Sequence, residues 1–408
     1  MTDSPPWRGT ATRYTCPMGY RTYTCPIAKR CGGCEWLAVP YPIQLRRKGE
    51  YVRELFGEMA KQDGATIDDV RGMSEPVSFR HKAATPFAPG KGGRLRCGFY
   101  AAGTHRIVSC HECLVEAPGA REVLDAVAHA AGKLRIPAYA EDQGTGVLRH
   151  AVLRQGHATD DAMLVLVTNG NALPHERKLV GALREACPQL TTIVQNVNTR
   201  RTNAILGREC RTLWGPGIMH DRLLGCEFEI GPTSFYQTNP AQTEVLYQLA
   251  IDGAGLGDGM RMLDAYCGTG TIGICAAASV GGVEVTGVEQ VGGAVSCARR
   301  NAADNDVGER CRFVRADATD YIVREATAGA RYDVVVMDPP RAGSTPEFLS
   351  AVVALGAERV SYVSCNIQTQ ARDLLILRER GYRLERVAPV DMFPHTKHVE
   401  CVCSLVLR

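Results

Sequence analysis

The chain has 408 residues, 45% hydrophobic and 22% charged, a balance that supplies enough apolar surface for two or three packed domains and excludes disorder as the default. Its apolar stretches are strand-length and broken by Gly, Asp or Arg, which excludes a membrane-spanning helix, and the opening MTDSPPWRGT lacks the layout of a signal peptide, so a cytoplasmic location is expected. The net charge of +3 hides an asymmetry, since residues 1–113 carry 17 Lys and Arg against 10 Asp and Glu, and the remainder 30 against 34. A basic N-terminal end suits a phosphate backbone, although a run such as QLRRKGEYVR serves equally well as a solvated helix face.

Seventeen cysteines in a reducing compartment are metal ligands, catalytic groups or buried thiols, because structural disulfides are disfavoured there. The first hundred residues are rich in Pro, Cys and Gly. CPIAKRCGGCEWL supplies Cys25, Cys31 and Cys34, and HRIVSCHECLVEA supplies Cys110 and Cys113. Five and two residues separate the first three, unlike the three-and-two spacing of radical-SAM enzymes. Four thiolates of this kind can hold a 4Fe-4S cluster or zinc.

From SFRHKAATPF to CEFEIGPTSF the pattern is one of short strands and turns, with AMLVLVTNG and LTTIVQNVN as strands and LPHERKLVGALREA as a helix between them. Residues 1–232 are therefore expected to form a cysteine-containing, β-rich α+β region. After SFYQTNPAQTEVLYQLAIDGA, strands (MRMLDAY, VEVTGVE, CRFVRAD, YDVVVMD, RVSYVSC) alternate with helices (TIGICAAASV, GAVSCARRNAADN, PEFLSAVVALG, QARDLLILRERG). This predicts a doubly wound, Rossmann-like α/β domain over residues 233–408. YRLERVAPVDMF and HVECVCSLVLR close the chain as two strands, expected as an antiparallel hairpin at the sheet edge. Cysteines such as Cys275 and Cys403 lie in apolar contexts and are expected in the core.

LDAYCGTGTIG places Gly268, Gly270 and Gly273 between a strand and a helix, with Glu289 21 residues after Gly268. That spacing fits a dinucleotide site, where an acid holds ribose hydroxyls, and it also fits a tight turn with no ligand. Two features favour S-adenosylmethionine (SAM) over a nicotinamide cofactor. Asp264 stands at the strand end, where a carboxylate suits an ammonium group and opposes a pyrophosphate, and YDVVVMDPPR ends in a rigid acid-Pro-Pro turn suited to a flat base or an amine. One helix lies between Asp338 and Cys365. The strands before them should therefore be parallel and end on the ligand-binding edge of the sheet, with Cys365 exposed at a strand terminus.

SFYQTNPAQTEVLY, LDAYCGTGTIGI, DPPRAG, VSCNIQTQARDL and DMFPHTKHVECV, in this order, resemble the RNA uracil-5-methyltransferase family, as do FRHKA, GVLRHAVLR and QNVNTRRTNAILG upstream. The resemblance spans nearly the whole chain. It implies that Cys365 adds to uracil C6, making C5 nucleophilic toward the methyl group of SAM, and that Glu400 then removes the C5 proton. It also implies that Gln237, Tyr266, Gly268, Glu289 and Asp317 line the SAM site, with Asp338 contacting SAM or the uracil. Asp317 in RADATD reads equally as a helix cap, and Tyr266 as core. Cluster-binding members of the family imply a 4Fe-4S cluster on Cys25, Cys31, Cys34 and Cys113, with Cys110 and then Cys16 as other candidates for the fourth ligand. His395 and His398 suggest polar packing more than metal ligation. Cys401 departs from the small hydroxyl residue expected after Glu400.

The expectation is a monomeric cytoplasmic enzyme that forms 5-methyluridine in RNA, with 23S ribosomal RNA as the substrate. Transfer RNA is the alternative substrate. An NAD-dependent enzyme and a non-catalytic RNA-binding iron-sulfur protein are the rival functions.

Overall fold

The computed structural model describes residues 13–15 and 21–408; Cys16 lies outside the described residues. Two large sheets organise the chain. The first has eight strands: β1 (Thr66–Ile67), β2 (Arg261–Ala265), β3 (Glu284–Glu289), β4 (Cys311–Arg315), β5 (Val334–Met337), β6 (Arg359–Ser364), β7 (Tyr382–Val390) and β8 (Glu400–Leu407). Their order is β4-β3-β2-β5-β6-β8-β7-β1. The strands from β4 to β6 are parallel neighbours, and β8 runs antiparallel to both β6 and β7.

The helices that follow these strands explain why the strands read as unbroken apolar runs. In β5, Val334 and Val336 enter one core beside Leu246 and Ile274, while Val335 and Met337 enter the other beside Phe348 and Leu374. Successive side chains point to opposite faces, so a strand covered on both sides needs apolar residues at every position. The covering helices are α1 (Tyr41–Asp63), α2 (Pro240–Ala254), α3 (Thr271–Ser279), α4 (Gly292–Asp304), α5 (Ala318–Thr327), α6 (Pro346–Ala354) and α7 (Ile367–Glu379). The doubly wound α/β domain is as expected. The chain runs outward from β2 to β4 and then returns to β5, so the strand order reverses between β2 and β5, where open α/β sheets bind ligands.

Three features differ from the sequence reading. The last two strands do pair antiparallel, but they do not form the sheet edge: β8 inserts between β6 and β7, and β1 pairs with Arg386 and Val387 of β7 beyond them. Helix α5 was not among the expected elements. The division at residue 232 is also not a single cut, because α1 buries Val52, Phe56 and Met59 against the catalytic core, and the hairpin Met219–Leu223 and Cys226–Ile230 buries Phe228 and Ile230 beside Ile274 and Val295. A periodic helix reads the same whichever sheet it covers, so its partner is a tertiary fact.

The second sheet has seven strands, in the order Glu209–Trp214, Thr192–Val197, Ala162–Thr168, Leu148–Gln155, Lys82–Pro89, Leu95–Tyr100 and Ile107–Ser109. Only Ala162–Thr168 and Thr192–Val197 are parallel, joined through the helix Glu176–Ala186, as their sequence suggested. One face packs under that helix and Ala120–Lys133, and the other, through Met163, Val165 and Val167, continues into the core of the catalytic domain. Among the described residues, no helix is long and apolar enough to cross a membrane.

Candidate active site

Strand register brings the two expected catalytic residues together. Met337 of β5 lies opposite Tyr362 of the parallel β6, so Asp338 and Cys365 leave the sheet at the same edge. Ser364 of β6 lies opposite Cys401 of the antiparallel β8. Glu400, one residue before Cys401, therefore starts beside Cys365, one residue after Ser364.

A cavity of about 720 Å³ opens here, lined by seven of the eight residues expected for catalysis and cofactor binding: Cys365, Glu400, Gln237, Tyr266, Gly268, Glu289 and Asp338. Asp317 is the exception. It caps α5, accepting hydrogen bonds from the Thr319 and Asp320 amides at 2.9 and 3.1 Å, though its charge still acts on Tyr266.

The glycine loop is shaped by close approach. Gly270 begins α3 at φ 79°, and a Cβ there would stand 2.8 Å from the Phe313 ring. At Gly273 a Cβ would meet Asp264 Oδ2 at 2.8 Å; without one, the Gly273 amide donates to that oxygen at 2.9 Å. Asp264 thus lines the cavity while tied to the helix it precedes. Glu289 accepts from the Gly268 amide at 3.2 Å and the Val291 amide at 2.8 Å, which fixes its carboxylate at the end of β3. Tyr266, at φ 64°, holds a left-handed conformation unfavourable for an aromatic residue, and its hydroxyl meets Ser344 Oγ at 3.1 Å.

The cavity concentrates negative charge. Burial pushes Asp338 up to about 7. Burial, with the charges of Asp338 and Glu289, raises Asp264 to about 7 against the opposing Gly273 hydrogen bond. Burial and then Asp338 raise Glu400 to about 8. The Cys365 thiol, half-buried at its strand end, is pushed up to about 11, first by burial and then by Glu400 and Asp338, with Arg341 pulling the other way. Crowded acids of this kind disfavour one another's ionisation and favour a bound cation.

Sequence reasoning did not single out Tyr247, Phe235, Arg80, Lys82 or Arg341 as site residues, although all line the cavity. Tyr247 is buried, hydrogen-bonded with Thr271 and Gln237, and its hydroxyl is raised by burial and by Asp338. Its helical apolar context gave no signal. Phe235, 66% exposed, is a large aromatic residue left at the opening. Arg80 and Lys82 alternate along FRHKA, which places both on one side of the chain.

His395 is packed, as expected: Gln44 donates to Nδ1 at 3.2 Å, Nε2 donates to the Pro76 carbonyl at 2.7 Å, and its amide donates to Gln44 Oε1 at 2.9 Å. His398 lines the cavity. Cys401 is fully buried beneath Glu400.

Cys25, Cys31, Cys34 and Cys113 are each half-buried and close enough to interact electrostatically. Burial raises Cys34 to about 12, Cys113 adds to this, and Arg80 opposes it. Cys110 interacts with Cys113, which lowers the Cys113 thiol and raises that of Cys110, while the Cys110 Sγ donates to the Glu112 carbonyl at 3.1 Å. The donor chemistry fits a thiophilic group. Among the described residues, however, no three or more His, Cys, Asp or Glu side chains are set in an arrangement that could hold a metal ion.

The sequence profile of the family described as tRNA (Uracil-5-)-methyltransferase matches residues 221–408. An uncharacterized RNA methyltransferase of Halalkalibacterium halodurans is 40% identical over 384 residues, 94% of this chain and 83% of that protein. Another from Staphylococcus aureus is 38% identical over 94% of this chain and 84% of its own. Among solved structures, the Pyrococcus abyssi tRNA (uracil-54, C5)-methyltransferase in complex with S-adenosyl-L-homocysteine superposes with a TM-score of 0.74 at 27% identity, covering 92% of this chain and 86% of that one.

Proposed function

The chain belongs to the RNA uracil-5-methyltransferase family and is a SAM-dependent RNA methyltransferase; from that premise we propose that it converts uridine to 5-methyluridine in RNA through a covalent bond from Cys365 to uracil C6. The observation that carries this reading is the register that sets Cys365 beside Glu400 at the cavity. SAM supplies an electrophilic methyl group when bound, and the acid-lined cavity with its glycine loop fits a cationic, ribose-bearing molecule.

The steps at the protein are then determined by its residues. The Cys365 thiolate adds to C6, moving the C5–C6 pair onto C5, which forms the new carbon–carbon bond to the donor's methyl group as the methyl–sulfur bond breaks and its electron pair leaves with S-adenosylhomocysteine. Glu400, ionised, removes the remaining C5 proton, and the electrons of that C–H bond restore the double bond as Cys365 leaves as thiolate. Asp338 holds the base or the donor between them. A base stacked in a helix cannot present C6 to Cys365, so the target uridine is unstacked into the cavity.

The finer reading is a cytoplasmic monomer acting on 23S ribosomal RNA, with a 4Fe-4S cluster on Cys25, Cys31, Cys34 and Cys113. The cluster would staple the N-terminal segment; the methyl transfer itself is polar and needs no electron from it. The mutual electrostatic influence of the four thiols supports this ligand set. Transfer RNA is the second reading, favoured by the likeness to a tRNA methyltransferase of known structure.

The test is incubation of anaerobically purified protein and methyl-labelled SAM with unmodified ribosomal and transfer RNA, followed by nucleoside and fragment mass spectrometry. Label in 5-methyluridine from 23S fragments supports the reading, and label in transfer RNA alone replaces the substrate. No label in either, with SAM bound, overturns the activity. Iron and sulfide content of the same preparation decides the cluster.

A further inference from the structure

The cavity draws its acids from the edge of the catalytic sheet and two of its cations, Arg80 and Lys82, from the middle domain. These cations lack a carboxylate ion pair among the described residues. None of the described salt bridges includes Arg80, Lys82 or Arg154. Lys82 begins its strand directly opposite Arg154 in the antiparallel register, and like charges so placed repel.

Arg154 is 3% exposed; two backbone carbonyls, of Ser234 and Pro232, accept from its Nη2, while its Nε is buried without a partner. The Arg80 Nε is likewise buried and unpartnered. The backbone of Arg80 bridges to that of Glu116, but both Glu116 carboxylate oxygens are taken by Arg121. Burial, reinforced by Arg154, lowers Lys82 to about 8. A buried donor without an acceptor costs free energy, as does a pair of like charges of which one, Arg154, is buried, and neither would be expected at a site that stays empty of anions.

We propose that Arg80 and Lys82, backed by Arg154, form an anion subsite that holds a backbone phosphate of the RNA next to the target uridine. The inference rests on the RNA-methylating reading above and adds where the strand is gripped as its base enters the cavity. Arg80 and Lys82 stand at alternate positions and face the cavity together, while the His81 ring between them turns away, packing on His157 at 5.0 Å and bonding the Gly156 carbonyl at 3.2 Å. A carboxylate of the methyl donor is the other anion that could reach this wall, and the test separates the two.

Lys82→Met and Arg80→Met are compared with the unsubstituted protein in three measurements. The first is binding of a uridine-containing RNA hairpin as a function of salt, the second binding of S-adenosylhomocysteine by calorimetry, and the third thermal unfolding. Each substitution is expected to weaken RNA binding about tenfold and to reduce the logarithmic salt slope by about 1, with S-adenosylhomocysteine affinity unchanged. Because Lys82→Met removes a repulsion, its unfolding temperature should hold or rise, where a purely structural lysine would lower it. Loss of S-adenosylhomocysteine affinity with an intact RNA salt slope assigns the wall to the donor and overturns the proposal, as does an unchanged slope with unchanged affinities. If the unsubstituted protein forms no 5-methyluridine yet the substitutions flatten the RNA salt slope, the methylation reading fails and the subsite stands.

Discussion

Cys365 and the four cysteines Cys25, Cys31, Cys34 and Cys113 are chemically the same group, half-buried in both places, and differ in what surrounds them. Cys365 stands at a strand end between two carboxyl groups, with Arg341 as the opposing cation. Cys25, Cys31, Cys34 and Cys113 have one another as neighbours, and Arg80 sits at their border with the cavity. A thiol among acids has its ionisation held back until positive charge arrives, whereas a thiol among thiols has only the donor chemistry that the proposed cluster would use. Position in the fold, more than residue type, separates the two.

The largest effect that would sharpen this contrast is at Cys365. Cys365→Ala is expected to lower methylation by about 10⁴-fold or more and to abolish the denaturation-resistant adduct with 5-fluorouracil-substituted RNA, with the fold intact. An active Cys365→Ala enzyme would break the contrast outright.

Glu400→Gln comes next, with an expected loss of about 10²- to 10⁴-fold in turnover. Its signature is accumulation of methylated RNA covalently attached to protein on denaturing gels, because addition proceeds while elimination stalls. In the unsubstituted enzyme the base works only when ionised, so adduct resolution should accelerate as pH rises through about 8.

Asp338→Asn tests the electrostatics. Removing that charge should let both Glu400 and Cys365 ionise at lower pH, so alkylation of Cys365 by iodoacetamide would titrate below about 11. Stability gives an independent sign. Asp338 ionises at higher pH in the fold than in the unfolded chain, so between about pH 4 and 7 the folded state holds the extra proton and stability falls as pH rises. Asp338→Asn should flatten that decline in a urea titration.

The smallest expected effect on chemistry is at the thiols of the proposed cluster. Cys31→Ser and Cys34→Ser should remove iron and lower thermal stability while leaving methylation within about tenfold, because the polar reaction uses no electron from this region. A loss as large as that of Cys365→Ala would erase the distinction between the two groups of thiols.

Much of the catalytic domain was legible because a strand covered on both faces reads as an apolar run, unbroken in β5 and interrupted in β6 only by Ser361 and its two end residues. Cys365, Asp338 and the glycine loop followed from where those runs stop. Helix α5 was harder to read, since its first turn holds polar residues and Asp317 serves it as a cap. The edge of the sheet was misplaced because β1 has only two residues and comes from 320 positions upstream of Arg386 and Val387, the β7 residues it pairs with. No local pattern records such a pairing.

By itself the sequence determined the alternation of strands and helices, the residues at the strand ends and, through ordered motifs, the family, because each is carried by local periodicity or residue identity. Tertiary structure decided that Glu400 starts beside Cys365, that α1 covers the catalytic sheet, and that Arg80 and Lys82 face the same cavity as Asp338. Those facts depend on register and packing between segments distant in the chain, where the free energy comes from contacts that neither segment makes alone.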